Sequence, residues 1–230
     1  MTESKKQGKQ QANNEQILFH QKSLRETVID ALNFIEVKDY ADFDLRKEYF
    51  DNPERGIHDS RHLYRVMIAT ALIAHKLNQP RQGFLAFCGA FIHDQARIHD
   101  GDDAGHGPRA AHTKWDIHSA IWEKYSLQPN EQDYVRSAVA LHCSHHDCGF
   151  KVDRLVKQIL HDADSFDRCR FYHTSSRLNW SYLTLPELRC NDGRPSHMLN
   201  TLIGETEAVW CFTKDVASFI TFREFLGNIR

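Results

Sequence analysis

Apolar residues recur at helical spacing along most of the chain, and no stretch alternates convincingly as a strand does. From about Glu15 to Glu36, Ile17, Leu18, Leu24, Val28, Leu32 and Ile35 fall on one stripe, the pattern of an amphipathic helix. Pro53 and Gly56 punctuate a loop. Asp59 or Ser60 then stands where a cap is needed for a helix carrying Val66, Ala69, Leu72 and Ile73. Beyond Pro80 the next helix, with Phe84, Phe87, Cys88, Phe91 and Ile92, is the most apolar of the chain. Glycines 101, 105 and 107 with Pro108 predict a loop over Arg97 to His112 that leads into another helix, broken by Pro129 and Asn130. Further helices are expected through Val135, Ala138 and Val139, from near Val152 through Leu155, Val156, Ile159 and Leu160, and from about Met198 to the end. Between them, Asn179 to Pro195 is broken by Pro186 and Gly193, and Trp180 to Arg194 is expected to pack rather than to form a lid. The fold class is therefore all-α, a compact multi-helix bundle.

Polar residues interrupt these stripes at particular places. His93 and Asp94 end the most apolar helix, and two adjacent polar groups there are costly unless paired or bound to a metal. His62 lies one turn before Val66, Asp164 one turn after Leu160, and His142 extends the stripe of Val135, Ala138 and Val139. The dipeptide His-Asp itself carries little weight, since it occurs at His58, His93, His99, His146 and His161. Position separates the candidates. Imidazoles and carboxylates on the inner faces of several helices point to a metal site between the helices.

Composition narrows the class. The 230 residues hold 29 Lys plus Arg against 31 Asp plus Glu, so no global basic field argues for nucleic-acid binding. The length suits one domain, expected over 15–230 behind a polar stretch at 1–14, rich in Gln and Asn, that is expected to be disordered. Within it a motif-bearing core spans about 56–170 and a helical extension 171–230. No apolar run approaches membrane-spanning length, and no signal-peptide pattern opens the chain, which predicts a soluble cytoplasmic protein. The six cysteines form no C-x-x-C pair and are expected to be buried thiols in a reducing compartment.

The motifs resemble those of the HD-domain metal-dependent phosphohydrolases, in particular small single-domain members. His58-Asp-Ser-Arg-His62-Leu-Tyr-Arg-Val66 resembles the opening motif. His93-Asp94, followed by His106-Gly107, resembles the signature pair and its His-Gly loop, and Leu160-His-Asp-Ala-Asp164 the closing motif. The resemblance covers about Gly56 to Arg170. It implies His62, His93, Asp94 and Asp164 as core metal ligands, with His106 and His142 able to hold a second ion and Asp94 as the bridge. His93 and Asp94 would be central to catalysis. His118, His145 and His146 are expected at the surface or behind the ligands.

The chemistry the resemblance implies is hydrolysis of a phosphoester of a small molecule, expected to be a nucleotide or related metabolite, assisted by one or two divalent ions. Mn, Fe, Co, Ni, Zn and Mg are not distinguished by such a donor set. Asp59, Asp100, Asp162 or Asp167 would accept the outer N–H of ligand histidines. Arg97, Arg109 and Arg168, with Arg170 beside them, are the candidate contacts to substrate phosphate. The chain departs from alarmone hydrolases, which carry an acidic pair where Gln95-Ala96-Arg97 stands, and from cyclic-dinucleotide phosphodiesterases, which have Gly-Tyr-Pro after a paired histidine. Two alternatives are a nucleotide-binding or sensor module without turnover and an HD-fold diiron oxygenase. No membrane or nucleic-acid partner is expected, and a homo-oligomer is compatible with the composition.

Overall fold

The computed structural model describes residues 24–54, 56–142, 149–168, 182–189 and 196–230. The polar N-terminal stretch and the first turns of the predicted opening helix lie outside them. So do Cys143, Cys148, Cys169, Cys190, His145, His146, Arg170 and Trp180.

Among the described residues the chain is helical throughout, with no strand. Helix α1 covers 24–34. It is followed by α2 (Ser60–Leu77), α3 (Pro80–Ile92), α4 (His106–Thr113), α5 (Ser119–Lys124), α6 (Pro129–Leu141), α7 (Arg154–Asp167), α8 (His197–Thr213) and α9 (Phe222–Gly227). Short 3-10 turns at Tyr40–Phe43, Lys47–Tyr49, Asp116–His118 and Pro186–Leu188 join them. None of these helices is long and apolar enough to cross a membrane.

Local chemistry sets the boundaries. Asp59 caps α2 by accepting from the Arg61 and His62 amides, and Asp153 does the same for α7. Pro80 and Pro129 each stand at the first turn of a helix, where the missing N–H costs nothing. Pro129 thus starts α6, and α5 lies between α4 and α6 where one continuous helix was expected. The terminal helix is likewise two, α8 and α9. The second docks on the Tyr40–Phe43 turn and buries Phe222, Phe225 and Leu226.

Helices α2, α3, α6 and α7 pack against one another, with α4 laid on α6 and α8 on α2 and α7. Edge-to-face rings fill the centre: Phe43 meets Phe87 at 4.9 Å and Phe91 at 5.4 Å, and Tyr64 stacks on Phe222 at 4.9 Å. The Tyr64 hydroxyl accepts from the Leu45 amide and donates to the Ile220 carbonyl, tying α2 to both chain segments that flank it. The C-terminal segment also clamps the first turn of α2, because Ser218 donates to Asp59 and the Phe219 amide to the Ser60 hydroxyl. It is therefore part of the same core. Of the described cysteines Cys88 is buried, as expected, but Cys211 is exposed because it lies on the outer face of α8.

Contact between α2 and α3 depends on Gly83. A Cβ there would sit 2.2 Å from the Cβ of Ala74 and 2.9 Å from Cγ2 of Ile35. Gly83→Ala is expected to lower stability by about 1–3 kcal/mol despite the better helix propensity of alanine. A lowered urea midpoint at unchanged m-value would show it; an unchanged midpoint would mean the helices part without cost.

Candidate metal centre

The six sequence candidates arrive from five helices or their ends. His62 is in the first turn of α2, His93 caps the C-terminus of α3 with Asp94 next to it, His106 opens α4, His142 caps α6, and Asp164 lies in the last turns of α7. Gly107 permits this convergence. A Cβ at that position would meet the Val139 carbonyl oxygen at 2.7 Å and that of Ala140 at 3.2 Å, so only glycine lets the start of α4 touch the end of α6. The result is that Nε2 of His106 lies 2.9 Å from Nε2 of His142.

Two triads share Asp94. His62, His93 and Asp94 form one, and Asp94, His106 and His142 the other; all five residues are buried. In the first, His62 Nε2 is 3.4 Å from His93 Nε2 and 3.5 Å from Asp94 Oδ2, and His93 Nε2 is 3.9 Å from that oxygen. Asp164 Oδ1 joins it at 3.4 Å from His62 and 3.9 Å from His93. In the second, Asp94 Oδ1 is 3.0 Å from His106 Nε2 and 3.9 Å from His142 Nε2. Each triad has a point about 2 Å from all three donor atoms, the length of imidazole and carboxylate bonds to ions such as zinc. The donor set therefore fits a metal ion at either position.

Every histidine is oriented from behind. The Nδ1–H of His93 donates to the Ala90 carbonyl at 2.8 Å, that of His142 to Val139 at 2.6 Å, and that of His106 to Asp103. His62 Nδ1 donates to Asp167 Oδ2 at 2.6 Å. Carbonyl and carboxylate oxygens can only accept, so each Nδ1 carries the proton and each Nε2 presents a lone pair to the centre.

The electrostatics agree. Burial lowers the basicity of His93, and burial followed by the charges of His106 and His93 pushes His142 down to about 3. Both imidazoles are thus neutral donors at ordinary pH. Burial pushes the Asp94 carboxyl up, but His93, His106 and His62 outweigh it and hold it well below the usual range. Asp164 is also held well below the usual range, by His62, His93 and His142 against burial.

A cavity of about 250 Å³ opens on Asp94, His106, His142 and Asp164, and His58, Arg97 and Arg168 also line it. Asp164 is the open edge of the donor set, its side chain 22% exposed. Arg97 reaches inward, with Nη1 2.9 and 3.1 Å from the His106 ring nitrogens and Nη2 donating to the Gly101 carbonyl. Arg168 caps α7 and lies over the exposed ring of Tyr182. Arg109 is placed differently from the expectation. It binds the Ala96 carbonyl and Asp103 and does not line the cavity, because Asp103 faces it across the first turn of α4.

Of the four acids proposed behind the ligand histidines, only Asp167 takes that place. Asp59 caps α2, and Asp162 binds the Thr184 and Leu185 amides. Asp100 supports His58 through Nδ1 at 2.9 Å. Two residues went unnoticed in the sequence. Arg65, three residues after His62, forms a two-point pair with Asp167 at 2.6 and 3.2 Å, and its helical spacing from His62 was the available signal. His58, read only as the start of a motif, lines the cavity, and burial first, then His62, lowers it to about 4.

His118 is buried rather than on the surface. It bonds Gln95, whose amide donates to the Phe91 carbonyl, and it stands against Tyr49 and Phe91. Burial, then the Lys114 charge, lowers it to about 4 from 6.5. The folded state resists this proton more than the unfolded state, so the associated stability is complete above about pH 6.5 and is lost as pH falls toward 4. The loss amounts to about 3 kcal/mol. His118→Gln is expected to make stability fall less steeply between pH 7 and 4.5 in urea titrations; identical slopes would contradict it.

No protein-family model, curated protein or solved structure matches the chain.

Proposed function

We propose that the protein is a metal-dependent phosphohydrolase of the HD-domain type, cleaving a phosphoester of a small molecule such as a nucleotide or related metabolite. One observation carries the reading: four buried histidines, each fixed through Nδ1, turn their Nε2 atoms toward Asp94, and an anion-sized cavity with two arginines opens on the same carboxylate.

His62, His93, Asp94 and Asp164 would hold one ion, and Asp94, His106 and His142 are placed for a second. A divalent ion supplies Lewis acidity toward phosphoryl oxygens and makes water a competent nucleophile near neutral pH. The chain's own residues do the rest. Arg168 and Arg97 offer positive charge to the substrate oxygens from the cavity wall. Asp164, at the open edge, accepts a hydrogen bond from a water entering from the cavity and orients it. The helices bury the remaining donors, so charge interactions in the site are screened little by solvent. The arginines favour an anionic substrate over the oxygen chemistry of the diiron alternative.

The test is a panel of phosphomonoesters and phosphodiesters, including nucleotides, assayed with each divalent ion after chelator treatment. Hydrolysis that is abolished by chelator and restored by an ion supports the proposal. Tight nucleotide binding with no turnover under any ion would favour the sensor reading instead.

A further inference from the structure

We propose that the two metal positions are unequal, and that Arg97 makes them so by placing its own positive charge at the second. This rests on the metal-centre reading above and concerns which position fills.

The first position gathers two carboxylates and two imidazoles from His62, His93, Asp94 and Asp164. The second shares one of those carboxylates and adds His106 and His142. Three acceptors, Asp94 Oδ1 and the two Nε2 atoms, converge there at 2.9, 3.0 and 3.9 Å, and such a set requires a cation among them. Arg97 brings a fixed positive charge beside them. Its Nη1 stands 3.1 Å from His106 Nε2 and 3.8 Å from Asp94 Oδ1. Nη1 is as close to His106 Nδ1, at 2.9 Å, as to Nε2, so it lies over the imidazole ring and brings its charge beside the second position without taking the Nε2 lone pair.

The guanidinium is held in place. Its side chain is 12% exposed, and Nη2 donates to the Gly101 carbonyl. The nearest carboxylate is Asp94 itself, so no other acid among the described ion pairs offsets the charge. An ion about 2 Å from His106 Nε2 would lie within about 5 Å of Nη1, where the repulsion between a divalent ion and a fixed unit charge in a partly buried site weakens binding on the order of 100-fold or more. The first position, built around the other carboxylate oxygen and Asp164, lies farther from Nη1 and has a second carboxylate to offset the charge, so it feels this repulsion less. Arg97 therefore supplies at the second position the charge that a second ion would otherwise bring, and the resting protein carries one ion.

Titration of chelator-treated protein with cobalt(II), followed by its visible absorption and by equilibrium dialysis, reads this without any substrate. Wild type is expected to take up one equivalent tightly and a second at least about 100-fold more weakly. In Arg97→Gln the second dissociation constant falls toward the first, and the first falls by a smaller factor. In His106→Ala the tight equivalent persists and the weak one disappears, which assigns the positions. Two equivalents of equal affinity in wild type, or an unchanged second constant in Arg97→Gln, would overturn the inference. Absence of any bound cobalt in wild type would overturn the metal-centre reading itself.

Discussion

Asp94→Asn is expected to abolish hydrolysis, lowering kcat/KM on the order of 1000-fold or more, and to weaken metal binding at both positions. The reason is geometric. Oδ2 of Asp94 belongs to the triad of His62 and His93, and Oδ1 to that of His106 and His142. No other side chain among the described residues serves both. Asparagine keeps the shape but offers a neutral oxygen on one side and a donor N–H₂ on the other, so one triad gains a donor facing lone pairs. Loss of metal and activity together, with the helical circular dichroism retained, is the expected result. An Asp94→Asn protein that keeps its metal and at least a tenth of its activity would remove Asp94 from the centre.

The second large effect lies behind the ligands. Asp167 is buried between Arg65, which it binds at two points, and the Nδ1–H of His62. Asp167→Ala leaves the Arg65 guanidinium buried without its carboxylate, which costs about 3–5 kcal/mol. It also frees the His62 ring, and loss of such a supporting acceptor typically lowers metal affinity about 10- to 100-fold. The two consequences can be separated. Arg65→Met combined with Asp167→Leu replaces a buried ion pair with apolar volume and is expected to recover most of the stability, yet metal affinity should stay low because His62 still lacks its acceptor. Recovery of both would mean that Asp167 acts on the site only through stability. Chemical denaturation and metal competition with a chelator measure the two effects independently.

The parts of the site legible in the sequence were those written in helical spacing. His62, His93, Asp94, His142 and Asp164 each extend an apolar stripe or end one, so their place on the inner faces of the helices followed from pattern, while the grouping of these with His106 came from the resemblance of the motifs. The boundaries at Asp59, Pro80 and Asp153 follow from capping and proline chemistry for the same reason. What pattern does not contain is pairing between distant segments. Asp167 and Asp162 are both acids on α7, and only packing decides that the first supports His62 while the second holds the Thr184–Leu185 backbone. Arg97 and Arg109 looked equivalent as phosphate contacts. The turn before α4 gives Arg109 to Asp103 and turns Arg97 onto His106. The split of the C-terminal region into α8 and α9 was missed because Phe219, Ile220 and Phe222 look continuous with a helix, while the backbone at Phe219 takes a positive φ of 60° that ends helical geometry.

The most direct test of the metal centre is elemental analysis of full-length protein purified without added metal or chelator. The account predicts at least one transition-metal ion per chain, and none in Asp94→Ala purified alongside it. A wild-type chain that holds no ion, before or after incubation with Mn, Fe, Co, Ni and Zn, would contradict it, and the converging histidines would then be a hydrogen-bonded core without a metal.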